Sequence, residues 1–169
     1  MFAIMIATFV VHEGAHGVAG AALGYPMEVS SNHASPVGGK AERHDAMTIT
    51  AAGPAATILG AFLAAAFIPR ALLGFQIVLA AFLMRLLASG ISLVSPNDEM
   101  RLSVQLGLHP WALPGVVTVA LLLTTIYVAA RARPGVKATG LMLLGAVLGI
   151  ALATAGEGFL PELTIPSLR

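Results

Sequence analysis

Charged residues divide this chain into long apolar stretches. The first stretch covers residues 2–23, and the other four lie between the charged positions 45 and 70, 70 and 98, 101 and 131, and 137 and 157. Each stretch can supply the roughly 20 residues that a helix needs to cross a bilayer. The pattern predicts an all-α fold: a polytopic transmembrane helical bundle with about five spans and mostly short connections.

One connection is long and polar. Residues 24–45 are punctuated by glycine, proline and serine, and they carry most of the charges of the first half of the chain. We predict an interfacial loop here, with possible short strands at residues 27–30 and 39–42 flanking a turn. His44 and Asp45 are possible metal ligands, although polar loops commonly carry such residues without a metal.

Composition places the chain in the membrane class. Of its 169 residues 57% are hydrophobic and only 10% are charged, against about 25% charged in soluble domains. A net charge of +1 without a basic run gives no support for nucleic-acid binding. Cysteine is absent, which excludes disulfides and thiolate ligands. The first stretch lacks a charged leader region, so we interpret it as a retained span.

The HEGAH motif (residues 12–16) interrupts this first span. Positions i and i+4 share a helix face, so His12 and His16 can hold one Zn²⁺. Glu13 is then placed to accept a proton from water activated by that metal. Polar groups inside a membrane are costly unless they pair or bind metal, which favours a zinc site. Chance histidines between helices, a haem site and a structural metal site are the alternatives.

A catalytic zinc site requires a third protein ligand. The Gly53-Pro54 pair is expected to open the second helix. Because successive spans alternate in direction, this pair, the HEGAH motif and residues 95–99 are expected in the same half of the membrane. Asp98 is the preferred third ligand, because the preceding proline lets the chain turn back towards the metal. Asn97 is a candidate substrate or carboxylate contact, and Glu99 is the second choice of ligand.

At these residues the chain resembles the site-2 protease family of intramembrane zinc metalloproteases. The match consists of the HEGAH motif, residues 52–57 and residues 96–98. It implies a three-helix catalytic core over residues 1–105, with one Zn²⁺ bound by the two histidines and the aspartate, and with the motif glutamate as general base.

The resemblance also implies the reaction and its setting. The expected reaction is hydrolysis of a peptide bond in or near a transmembrane segment of a membrane-protein substrate, which the loop after the first helix presents in extended form. The expected location is a bacterial or archaeal cell membrane, with the active site nearer the cytoplasmic side. Gly53, Pro54 and Thr57 are the candidate substrate or supporting contacts of the second helix. Thr57 stands where relatives often have asparagine, so an oxyanion or substrate contact there is expected to differ, and Glu99 stands where relatives usually have glycine.

Residues 106–169 add two further hydrophobic helices. We expect them to form a lateral wall, a substrate gate or a docking face for another membrane protein, with Gly145 and Gly149 on one small-residue face that Gly140 only approximately joins. Arg85 lies within the third span and needs a partner. Glu157 is a candidate partner if the fifth helix packs against the third, and a structural ion pair is the expected role.

Two other function classes remain open. The chain could be a catalytically idle, protease-like membrane subunit or scaffold of a larger complex. It could also be a metal or proton transporter that uses the same histidines. Bound zinc together with cleavage of a membrane substrate selects the protease, whereas stoichiometric co-purification without cleavage selects the scaffold.

Overall fold

The computed structural model describes residues 1–155 and 162–168, and most of these are helical. The elements in chain order are α1 (Phe2–Ala22), β1 (Met27–Val29), β2 (Ala34–Pro36), α2 (Arg43–Phe67), α3 (Leu72–Ile91), α4 (Asp98–Gln105), α5 (Ala112–Ala132), α6 (Val136–Ala155) and β3 (Leu163–Ile165). Five of these helices, α1, α2, α3, α5 and α6, are long and apolar enough to cross a membrane. The predicted all-α fold with about five spans is confirmed, and it is compatible with an integral multi-pass membrane protein.

Helix α1 contacts α2, α3 and α6. One apolar cluster joins α1, α3 and α6 around Met5, Phe9 and Met84. A second cluster joins α2, α3 and α5 around Phe75 and Leu121. Exposed leucine and valine side chains cover the outer faces, as expected for helices whose solvent is lipid. One face of the motif-bearing helix therefore packs against its neighbours, while residues such as Val10 and Val18 lie on its exposed face.

A small antiparallel sheet with the strand order β2-β1-β3 packs on the carboxyl-terminal half of α1. Two close approaches make this packing possible, because a Cβ at Gly17 would lie 2.6 Å from Val29 Cγ2 and one at Gly20 would overlap the Met27 side chain. Gly24 ends α1 with a φ of 99°, which a glycine adopts readily. The chain can therefore reverse at once into β1 and lie beside α1.

The sequence placed the first strand correctly and the second one wrongly. β1 lies within the predicted residues 27–30, but β2 is Ala34–Pro36 instead of residues 39–42. Gly38 has a φ of 80° and belongs to a turn, so the chain after it leaves the sheet. The loop also ends earlier than predicted, because α2 already begins at Arg43.

The expectation that Gly53-Pro54 opens the second helix is likewise wrong. Both residues lie inside α2, about ten residues after its start. Proline in a helix interior removes one backbone donor, which leaves the carbonyl of Thr50 without its usual partner. The sequence suggested a helix start because proline is common there, whereas here the proline is tolerated within a long helix.

Two short elements were not predicted. Helix α4 begins directly at Asp98, two residues after the proline that was expected to turn the chain back towards the metal, and β3 adds a third strand from the carboxyl-terminal segment. Backbone hydrogen bonding extends beyond β3, since the Leu168 N–H donates to the Ala21 carbonyl at 2.9 Å. The last segment therefore returns to the end of α1 that carries the motif.

The small-residue face of α6 packs inside the chain. A Cβ at Gly149 would lie 2.8 Å from Met5 Cβ and 3.2 Å from the Phe2 carbonyl oxygen, and one at Gly145 would lie 3.1 Å from the Phe2 nitrogen. Gly140 has open space around it. The face formed by Gly145 and Gly149 thus holds α6 against α1 in this structure, which leaves the remaining surface of α5 and α6 for any partner.

Candidate metal centre

Helix α1 presents its polar motif to the interior. His12, Glu13 and His16 are all buried, with 3%, 7% and 6% of their surfaces exposed. The two histidines lie one helical turn apart on the same face, and their ring centroids are 4.7 Å apart. The motif is therefore enclosed by protein and does not face lipid.

Helix α4 supplies the third side chain. Asn97 caps this helix, because its Oδ1 accepts a hydrogen bond from the Met100 N–H at 2.9 Å. Its own N–H donates to Ser92 Oγ at 3.1 Å, which ties the cap to the end of α3. Asp98 is the next residue and the first of the helix. The cap thus fixes the point from which the Asp98 carboxylate reaches α1.

Three potential ligand atoms form a nearly equilateral triangle. His12 Nε2 lies 3.1 Å from Asp98 Oδ2, His16 Nε2 lies 3.3 Å from the same oxygen, and the two Nε2 atoms are 3.2 Å apart. Ligands about 2.0–2.1 Å from a tetrahedral ion are separated by roughly 3.3–3.4 Å. The triangle fits three corners of a zinc tetrahedron and leaves the fourth corner for water or substrate.

Backbone hydrogen bonding orients His16 for this role. Its Nδ1 lies 2.6 Å from the Ile49 carbonyl oxygen, so Nδ1–H donates to that oxygen. The remaining ring nitrogen, Nε2, then presents a lone pair to the triangle. A ring held in one tautomer by a carbonyl is the usual arrangement for a zinc-binding histidine. Nothing in the sequence around Ile49 signals this contact.

The Asp98 carboxylate is favoured in its charged form. Burial raises the pKa of this carboxyl, but the adjacent imidazoles of His12 and His16 outweigh that effect and hold the pKa well below its usual range. Its side chain is 23% exposed, the most accessible of the three. A negatively charged oxygen between two imidazoles is a suitable donor for a divalent cation.

Gly53 lets α2 approach the histidines. A Cβ at this position would lie 2.6 Å from His12 Cε1 and would overlap His16 Nε2. Gly53, Pro54 and Thr57, the residues of α2 that were predicted to contact substrate, do not line the cavity described below. Thr57 is buried and its hydroxyl donates to the carbonyls of Gly53 and Pro54, at 3.1 and 3.0 Å. In this structure Thr57 satisfies the backbone of its own helix.

A cavity of about 300 Å³ opens beside the triangle. Glu13 and Asn97 line it together with the three possible ligands. The Asn97 Nδ2 is buried and has no hydrogen-bond partner within residues 1–155 and 162–168, so it can donate to a bound group. Sequence reasoning missed Asn32 and His33, which line the same cavity from the loop between β1 and β2.

Arg85 lies behind the site and pairs with Glu99. The Arg85 Nη1 donates to Glu99 Oε1 at 2.8 Å, and both side chains are 3% exposed. Glu99 is therefore in an ion pair, whereas Asp98 belongs to the group that could hold a metal. The earlier candidate partner, Glu157, lies outside the described residues.

His44 and Asp45 are not part of the group that could hold a metal in the described part of the chain, and Asp45 instead accepts a hydrogen bond from the Tyr25 hydroxyl at 2.8 Å.

Negatively charged side chains outnumber positively charged ones around the triangle. Glu13, Glu99 and the largely buried Asp98 supply three negative charges, and Arg85 supplies one positive charge. With neutral imidazoles these four groups sum to −2, and the exposed Arg101, which also lines the cavity, offsets one of the two charges. Burying uncompensated charge is costly, and a divalent cation would offset the negative charge that remains. The donor set and the charge both fit Zn²⁺.

Comparison with known proteins adds no information to this geometry. The chain matches no protein-family model, no curated protein and no solved structure. Functional inference for this chain therefore depends on the arrangement of its own residues.

Proposed function

We propose that this protein is an intramembrane zinc metalloprotease. The observation that carries the proposal is the triangle of His12 Nε2, His16 Nε2 and Asp98 Oδ2, whose edges of 3.1–3.3 Å suit a tetrahedral ion. The resemblance of the HEGAH, Gly53-Pro54 and Pro96-Asp98 segments to site-2 proteases supports the same assignment. The site belongs to a bundle in which five helices are long and apolar enough to cross a membrane, so the proposed substrate is a transmembrane segment of another protein.

The residues around the cavity have separate roles in this reaction. Zinc, when bound, supplies a Lewis acid that polarises the scissile carbonyl and lowers the pKa of water. Glu13 accepts the proton of the attacking water and delivers it to the leaving amine. Asn97 Nδ2 donates a hydrogen bond to the substrate backbone. Each polar side chain of the motif in α1, and Asn97 and Asp98 at the start of α4, thus has a role in the proposed reaction.

The substrate must be unwound before cleavage. Carbonyls within a helix are already hydrogen-bonded and sterically shielded, and the cavity accommodates only a short stretch of chain. The loop before β2, through Asn32 and His33, forms part of the cavity wall and is placed to contact an extended segment. In a bacterial or archaeal cell membrane, we place this end of the bundle nearer the cytoplasm.

Metal analysis combined with a cleavage assay tests the proposal. The purified full chain should contain one zinc per molecule and should cleave a transmembrane peptide reconstituted with it. Glu13→Gln should retain the zinc and lose about 10²–10⁴-fold in cleavage rate, since it removes only the general base. Asp98→Ala is the matched control and should lose zinc and activity together.

The outcomes separate the competing functions. Residual cleavage near the wild-type rate by zinc-loaded Glu13→Gln would contradict the role assigned to Glu13. Wild-type protein that instead co-purifies stoichiometrically with another membrane protein and cleaves no substrate would select the scaffold function. Zinc or proton flux in vesicles without cleavage would select a transporter.

A further inference from the structure

The Nδ1 atoms of the two histidines face different kinds of group: a hydrogen-bond acceptor at His16 and a hydrogen-bond donor at His12. His16 Nδ1 faces the Ile49 carbonyl oxygen, which accepts its proton. His12 Nδ1 lies 3.4 Å from Arg85 Nη2, and a guanidinium can only donate. A neutral histidine that binds metal through Nε2 carries its proton on Nδ1. The neighbour of His16 therefore favours metal binding, whereas the neighbour of His12 opposes it.

A buried ion pair holds Arg85 in this position. Its Nη1 contacts Glu99 Oε1 at 2.8 Å, and Glu99 follows the candidate ligand Asp98 directly in α4. Neither Arg85 Nε nor Glu99 Oε2 has a hydrogen-bond partner in the part of the chain that the structure describes. The guanidinium thus has a spare donor and the carboxylate a spare acceptor. The pair can close into a two-bond contact when the guanidinium moves away from His12.

We propose that Arg85 is a positioning residue that weakens the binding of a divalent metal. Its N–H at His12 Nδ1 favours the tautomer that carries the proton on Nε2, the atom that would bind the metal, and Glu99 holds the guanidinium there. This inference rests on the proposed metal site and adds a determinant of its affinity. Partners behind a metal-binding histidine typically change affinity by about 10–100-fold. The metal affinity of this site is therefore lower than it would be if a backbone carbonyl accepted the Nδ1 proton of both histidines.

The test measures zinc affinity in a charge-balanced variant of the full chain. Arg85→Gln combined with Glu99→Gln removes both charges of the pair, and the new carboxamide oxygen at position 85 can accept the His12 proton. Competition with a chromophoric chelator in detergent should give a zinc Kd lower than wild type by about 10–100-fold. Arg85→Lys keeps a cation that has N–H donors and no acceptor for the His12 proton, so its Kd should stay near that of the wild type.

The direction of the change distinguishes this role from a structural one. A variant that merely loosened the bundle would bind zinc more weakly, and an unchanged or raised Kd in the folded double variant would overturn the inference. Arg85→Met combined with Glu99→Met provides a second measurement if the glutamine pair does not fold, since apolar replacement of a buried ion pair is generally tolerated. Wild type that binds no zinc would refute the proposed function, whereas zinc-bound wild type with equal affinities would refute only this inference.

Discussion

A single methyl group at Gly53 should lower metal affinity strongly. Within a helix interior, replacing glycine by alanine gains about 1 kcal/mol from propensity alone, but Pro54 follows and disfavours the helical conformation for a preceding residue that has a Cβ. The new Cβ would also lie 2.6 Å from His12 Cε1 and 2.7 Å from His16 Cε1. The methyl group therefore acts mainly on the two rings of the metal site.

The size of the effect follows from contact distances. Non-bonded carbon atoms are normally about 3.5–4.0 Å apart, so both rings must move by roughly 1 Å relative to α2. Metal–ligand distances tolerate only about ±0.2 Å. A displacement several times that tolerance disrupts two of the three ligands at once, and we expect zinc affinity to fall by at least about 100-fold.

The assay compares Gly53→Ala with Gly60→Ala in the same helix. A Cβ at Gly60 would meet nothing within 4 Å, so this control should keep wild-type zinc affinity and cleavage. Chelator competition measures the affinity, and thermal unfolding in detergent reports the fold. Wild-type zinc affinity in a folded Gly53→Ala variant would refute the arrangement of α2 against the two histidines.

Three further predictions follow from the packing and the charges. Gly149→Leu should lower the unfolding temperature because its side chain meets Met5 on α1, whereas Gly140→Leu, with open space around it, should leave the temperature unchanged; equal shifts would argue against this packing. A hydrogen bond with Glu162, followed by their charge interaction, raises the pKa of Glu28, so pairing of β3 with β1 should be strongest at acidic pH and should weaken as the pH rises through that raised pKa. Hydrogen exchange of the β3 amides should report this change, and Glu28→Gln should remove it. Chelation should destabilise the protein, since zinc at about 1,000 times its Kd adds about 4 kcal/mol to the folded state; an unfolding temperature independent of zinc would contradict a site confined to the native fold.

The sequence by itself determined the number of long apolar helices and the residues of the candidate metal site. Apolar stretches of about 20 residues have few folding alternatives, because a bilayer requires backbone groups to be satisfied within the segment. The spacing of His12 and His16 placed both rings on one helix face before any tertiary contact was known. Asp98 could be named as a partner because a zinc site needs a third ligand and the helix directions alternate.

Only the tertiary structure decided how these residues are supported. The Ile49 carbonyl behind His16 is a backbone group, and backbone groups leave no mark in the residue types of a sequence. The Glu99 partner of Arg85 depends on α4, a helix of eight residues whose pattern is too short to detect. β3 joins the sheet from more than 130 residues away, and such pairing depends on chain topology. Local patterns thus fix spans and ligand spacing, whereas the contacts that tune the site arise from helix packing.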